Sequence, residues 1–270
     1  MLKHYSLAPV TVLSLSPPEA IEAAARIGYQ YVGLRLFPAT PGGAAYPLMD
    51  DPVLLRETLA LQAATGVGVF DLEIIRIGED FDVNRYLPFF EVGQQLGAKA
   101  MLVAADDRDE ARLTAAFAGL CEAAEPYGLT ADLEFMPWTA VPDLTSARRI
   151  VEAAGSPPNA GILVDALHFA RSSSRPEQLQ TLPRQWLHYA QICDAPAGIP
   201  ATDAELIHTA RCERLLPGEG GIDLRSLFGQ LPGDLPISVE IPNDLRAPAL
   251  GAEAWARQAL QAVKTVITPA

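Results

Sequence analysis

The chain has 270 residues, 49% of them hydrophobic and 20% charged, enough to bury one large core and of a size with a single α/β barrel domain. A formal net charge of -13 and a pI near 4.7 argue against nucleic acid as a partner, because a polyphosphate needs a basic face to displace its counterions. Three widely spaced cysteines, Cys121, Cys193 and Cys212, form neither a disulfide framework nor a C-x-x-C zinc motif, and no apolar run reaches bilayer length. The N-terminal MLKHYSLAPV lacks the apolar stretch of a signal peptide, so the expected setting is the cytoplasm, with reduced thiols and no membrane partner.

In chain order, eight strand-like runs alternate with helical patterns. The strands are expected over Ser6 to Leu13, Tyr31 to Phe37, Val67 to Ile75, Ala98 to Ala105, Leu129 to Phe135, Ala160 to Ala166, Leu187 to Asp194 and Pro236 to Pro242. Between them PPEAIEAAARIG, LRETLALQAATG, VNRYLPFFEVGQQLG and DEARLTAAFAGLCEAAEPYG read as helices, with Pro near their starts or Gly at their ends. The connections around RPEQLQTLPRQ and IDLRSLFGQL are weaker helical patterns. Strands joined by helical crossovers are parallel, and eight such units in one chain predict a closed (β/α)8 TIM barrel spanning 1-270 as a single domain. An open doubly wound sheet would call for a G-x-G-x-x-G turn after the first strand, and there is none.

The fifth strand, in LTADLEFMPW, carries Asp132 and Glu134 inside an otherwise apolar run. In a barrel of this kind the active site is built at the C-terminal strand ends, so Glu134 is placed to face the mouth. The next three strands end the same way, on Asp165, on Gln191 with Asp194, and on Glu240. Each acid alone would serve equally well as a cap or an ion-pair partner. Four oxygen donors on successive strands point instead to a shared divalent cation, because converging carboxylates are costly to bury unless neutralised. Such donors suit Mg or Mn, with zinc still open.

LEFMPW, VDALHFARSS, QICDA, RCERLLPGEGGIDL and SVEIP, in this order and spacing, resemble the xylose isomerase-like TIM barrels, which include sugar epimerases, inosose-type dehydratases and 3-dehydroshikimate dehydratases. The resemblance implies a divalent metal held by Glu134, Asp165, a third ligand that is usually His, and Glu240. Here the third position is Gln191, a neutral and weaker donor, which favours Mn, Mg or Co over zinc. It also implies a role beside metal or substrate for His168, three residues after Asp165, and a substrate contact for Arg211. Arg76 and Arg35 follow or lie within early strands and could bind an anion or balance a neighbouring acid; Trp138 and Phe70 could line the pocket or the core. Arg171 is expected on a helix surface. With four histidines in all, the chain lacks the histidine-rich three-zinc site and basic surface of the DNA-repair endonucleases that share this barrel.

Metal-assisted deprotonation beside a carbonyl gives an enediolate, with Glu134, Glu240 or His168 moving the proton. Its fate gives an epimer, an isomer or a dehydrated product. The expectation is therefore a sugar isomerase or epimerase; the alternatives are a dehydratase of the 3-dehydroshikimate type and a non-catalytic effector-binding barrel. A small molecule is the expected partner, with a homodimer left open.

Overall fold

A computed structural model describes residues 3–267. Eight strands, β1 (Tyr5–Leu7), β2 (Tyr31–Arg35), β3 (Gly68–Ile77), β4 (Ala100–Ala105), β5 (Thr130–Glu134), β6 (Ala160–Asp165), β7 (Ala190–Ile192) and β8 (Ile237–Val239), pair in sequence order and close into a barrel. Every pair is parallel, and β8 returns to β1 with Ser6 beside Ser238. The helices are α1 (Pro17–Ile27), α2 (Pro52–Thr65), α3 (Leu87–Leu96), α4 (Glu110–Ala124), α5 (Leu144–Ala153), α6 (Ala166–Arg171), α7 (Pro176–Leu179), α8 (Asp203–Cys212), α9 (Leu224–Gln230), α10 (Arg246–Leu250) and α11 (Ala252–Ile267). The expected (β/α)8 barrel is the observed fold. Among the described residues no helix is long and apolar enough to cross a membrane.

The strands that came out shorter than expected did so for local reasons. β1 stops at Leu7 because Pro9 opens a 3-10 turn over Pro9–Thr11 and has no N–H to give to a ladder. β7 keeps only three residues: a 3-10 turn over Arg184–Trp186 ends just before the expected start, the ladder begins only at Ala190, and Asp194 at the expected end makes an antiparallel bridge to Leu215 instead. Helix starts follow cap chemistry: Asp51 accepts the amides of Val53 and Leu54 before α2, and Asp143 accepts that of Ser146 before α5.

Alternation along the strands divides the core in two. Outward residues such as Leu34, Leu72, Val103, Leu133 and Ile162 pack under the helices. Inward, Phe70, Ile74, Ala100, Leu102, Ala104, Leu163 and Tyr189 form a small apolar plug, so Phe70 belongs to the core. The other inward positions are polar and buried: Ser6, Asp71, Glu73, Asp132, Glu134, Asp165, Gln191, Ser238 and Glu240.

Asp132 lies two residues below Glu134 and takes no part in the mouth. Its Oδ1 is 2.7 Å from Nδ1 of His188. Burial alone would lower the His188 pKa, but the charge of Asp132 and the hydrogen bond to it outweigh burial and raise it. A folded-state pKa above the unfolded value of about 6.5 means the pair stabilises fully below that pH and loses its contribution as pH rises through the folded value. Gly161 makes room for the pair, since a Cβ there would overlap Asp132 Oδ1 and crowd the imidazole. Gly161→Ala is expected to cost about 1–3 kcal/mol at pH 5.5, and less at pH 8.5, in urea unfolding. An equal cost at both would show that the ion pair is not what the glycine protects.

Candidate active site

Glu134 ends β5, Asp165 ends β6, Gln191 lies within β7, and Glu240 follows β8 directly. In the ladder Asp165 stands beside Gln191 and Gln191 beside Ser238, so strand register alone brings these side chains into one arc of the barrel. All four are at most 5% exposed. Asp165 also caps α6, with Oδ1 accepting the amide of His168 at 3.0 Å. That cap turns the imidazole back over the strand ends. His168 Nε2 then lies 3.7 Å from Glu134 Oε1 and 3.9 Å from Asp165 Oδ1, and one ligand atom from each of the three residues falls within 4.8 Å of the others.

The charge in the cluster is only partly balanced. Arg214, three residues after Arg211 in RCERLLPGEGGIDL, is buried at its centre. Its Nη1 donates to Asp165 Oδ2 at 2.6 Å, and its Nη2 sits 2.8 Å from Glu240 Oε2, close enough for an ion pair although off the line of a hydrogen bond. Burial pushes the Asp165 carboxyl up, but Arg214, His168 and the α6 amide outweigh it and hold it below its ordinary value. Burial pushes Glu240 up to about 8 despite Arg214. Glu134 has no guanidinium on it, and burial with the charges of Glu240 and Asp165 drives its carboxyl well above the ordinary range. Burial also lowers His168 to about 4, so its imidazole is neutral at physiological pH. The Gln191 amide, fully buried, has no hydrogen-bond partner on either atom among the described residues. An unsatisfied amide beside an uncompensated carboxylate is the signature a cation would explain. The donor set present, two or three carboxylates, an amide oxygen and an imidazole, fits a divalent ion.

Above the cluster lies a cavity of about 300 Å³, with Glu134, His168, Arg214 and Glu240 at its floor and Trp138, Ile74, Leu102 and Met136 in its wall. Trp138 packs edge-on against the His168 ring at 5.1 Å. Of the three arginines singled out from the sequence, Arg35 is bound to Glu73 at 2.7 Å and Arg76 to Asp106 at 2.6 Å. Arg211, in the last turn of α8, lines the cavity and makes no hydrogen bond or ion pair among the described residues. Burial, then the neighbouring Arg76 and Arg35, lowers its pKa, so three guanidinium groups share one field at the mouth. Two residues differ from expectation. Arg171 is buried, not on a helix surface, and donates to the Pro196 carbonyl at 2.6 Å. Asp194 is a loop clamp: its carboxylate accepts the amides of Ala195, Gly218, Gly220 and Ile222, at 2.8 to 3.1 Å, holding the PGEGG loop that carries Arg214 into place.

The fold has counterparts. A curated relative, a 3-dehydroshikimate dehydratase of Pseudomonas aeruginosa, is 30% identical over 164 residues, covering 57% of this chain and 25% of the relative, so the chain spans about a quarter of that protein's length. By fold it is similar to the IolI protein solved with a bound zinc atom (TM-score 0.80, 20% identity, 98% of each chain). It is also similar to AsbF of Bacillus anthracis, a probable 3-dehydroshikimate dehydratase (TM-score 0.74, 14% identity, 97% of this chain and 98% of that one). A D-allulose 3-epimerase of Methylomonas sp. superimposes with TM-score 0.71 at 17% identity, over 98% of this chain and 97% of that one. The profile of one family runs through residues 21–266, from the first helix to the last, taking in all four strand ends that carry the acid, amide and arginine cluster: the chain belongs to the xylose isomerase-like TIM barrel family.

Proposed function

We propose that this chain is a divalent-metal-dependent lyase that dehydrates a small cyclic hydroxy keto acid of the 3-dehydroshikimate type. The observation that carries this reading is the pairing of a buried Glu134, Asp165, His168 and Gln191 cluster with a single unpaired guanidinium, Arg211, across a cavity of about 300 Å³. One free fork suits one substrate carboxylate, whereas a phosphorylated sugar would call for more. Gln191 in place of the usual histidine, and the 30% identity to a dehydratase, support the same choice.

Glu134, Asp165, Gln191 and Glu240 would hold the ion. When bound it would supply Lewis-acid polarisation of a substrate oxygen. Arg211 would anchor the carboxylate at the mouth, and Ile74, Leu102 and Met136 would press against the ring and keep water out. His168, neutral and braced by Trp138, would take the proton from the carbon next to the ketone. Glu240 would stay a ligand of the ion, and the proton taken up by His168 would pass to the departing β-hydroxyl. One C–H and one C–O bond break, water leaves, and tautomerisation gives the aromatic acid. A sugar epimerase remains the second reading, because two carboxyl groups, Glu134 and Glu240, with raised proton affinity could serve opposite faces of a ketose.

Incubating the metal-loaded chain with 3-dehydroshikimate is expected to give the absorbance of an aromatic product. Arg211→Ala should raise KM about 10–100-fold with a smaller effect on kcat, the loss of one charge-assisted pair. Deuterium incorporation into a ketohexose or an inosose without aromatisation would replace the lyase by the isomerase.

A further inference from the structure

Below the candidate metal cluster the barrel contains a second polar layer. Ser6 on β1, Asp71 on β3, Asp132 on β5 and Tyr189 at the entry to β7 come from alternate strands, as the four-residue layers of this architecture do. Ser238 joins them from β8, in register with Ser6. Asp132 has His188 as its partner. Asp71 has none: it is fully buried, and neither carboxyl oxygen has a hydrogen-bond partner among the described residues. The hydroxyls of Ser6, Tyr189 and Ser238 are buried and unsatisfied in the same way. Asp71 is the leading charge acting on Tyr189, and Ser6 lies close enough to Asp71 to affect it, outside hydrogen-bond geometry. Gly33 leaves the space: a Cβ there would stand 2.8 Å from Asp71 Oδ2.

We propose that the middle of the barrel holds Asp71 as a neutral carboxylic acid, with ordered water bridging it to Ser6, Tyr189 and Ser238. This buried hydrated site adjoins the metal cluster, since Ser238 stands beside Gln191 in the ladder, but it uses none of the four candidate ligands.

Two lines of reasoning lead there. The first is charge. Arg35 answers Glu73, Arg214 answers Asp165 and Glu240, and His188 answers Asp132, while Glu134 lies in the one cluster with Asp165 and His168 that could hold a divalent ion among the described residues. An isolated buried carboxylate would cost far more than a protonated one, so the proton is the simplest neutraliser. Burial first, then Glu73, Glu240 and Asp132, push the Asp71 carboxyl well up, with Ser6 opposing. Asp71 is outside the triad of donors that could share a divalent ion. The second is hydrogen bonding. Buried hydroxyls and a neighbouring carboxyl left unsatisfied in this way are what buried water satisfies, each molecule making about three bonds.

The sign of the pH effect follows. Asp71 titrates near 3.9 when unfolded and well above that when folded, so folding binds a proton between the two values. The wild type therefore loses stability as pH rises from about 4 through the folded value. Asp71→Asn, which mimics the neutral acid, does not carry that loss.

Carboxyl NMR of the metal-loaded wild type labelled with 13C-aspartate, assigned through the backbone, tests this directly. One Asp carboxyl, that of Asp71, is expected at its neutral-acid position at pH 7. In the variant series, Asp71→Asn is expected to fold, and its Tm should gain on the wild type as pH rises from 5 to 8.5. An ionised Asp71 carboxyl at pH 7 would overturn the proposal. So would a Tm difference that moves the other way, or a sodium or potassium ion found beside Asp71 with a Tm that depends on that ion over choline. Should the Asn variant fail to fold, the wild-type spectrum decides alone. None of these readouts depends on the dehydratase reading.

Discussion

Glu134→Gln is expected to abolish stoichiometric metal binding and to lower turnover at least about 10³-fold, while the empty protein melts no lower than the wild type. Glu134 ends β5 with no guanidinium on it, and burial holds its carboxyl at high proton affinity, so in the empty barrel the charge is a liability. Removing it relieves repulsion by Glu240 and Asp165 and leaves the packing volume unchanged. The trade of stability for function is what a binding carboxylate shows and a structural one does not. Metal content by elemental analysis and a melting curve in chelator check it together. A variant that keeps its metal, or loses many degrees without it, would make Glu134 a structural residue.

The second large effect belongs to Arg214. Arg214→Met keeps the length and removes the charge, leaving Asp165 and Glu240 buried without their cation. Breaking a buried ion pair from one side costs about 3–5 kcal/mol, which in a chain of this size lowers Tm by about 6–20 °C. A divalent ion can replace part of the missing charge, so added Mn should raise the Tm of the variant more than that of the wild type. Equal shifts in both proteins would separate Arg214 from the metal site electrostatically.

Much of this was legible in the sequence because it rests on period and position. Eight apolar runs split by helical patterns leave few topologies, and an inward-facing acid at the last residue of a parallel strand lies at the mouth. What was not legible depends on geometry inside one turn. Arg211 and Arg214 are three residues apart around the end of α8, and nothing in RCERLL tells which faces inward; in the fold Arg214 goes down to the acids and Arg211 lies along the rim. Asp194 looked like another ligand because it ends a strand, but four loop amides, two of them from the glycines of the PGEGG turn, claim its carboxylate. The alternation of Asp71 and Glu73 in VFDLEI carries the signal of two inward acids in β3, of which one is paired by Arg35 and one is not. Arg171 reads as a helix-surface residue from its spacing, yet α6 is a single short helix packed inside the strand ends, which buries it.

The claim on which the rest depends is that Glu134, Asp165, Gln191 and Glu240 hold one divalent ion, and anomalous scattering from crystals loaded with Mn addresses it most directly. One peak is expected at the floor of the cavity, with an oxygen from each of these side chains at about 2.0 to 2.6 Å. Crystals that show no ion there after loading, with the Gln191 amide turned to a protein partner, would contradict it.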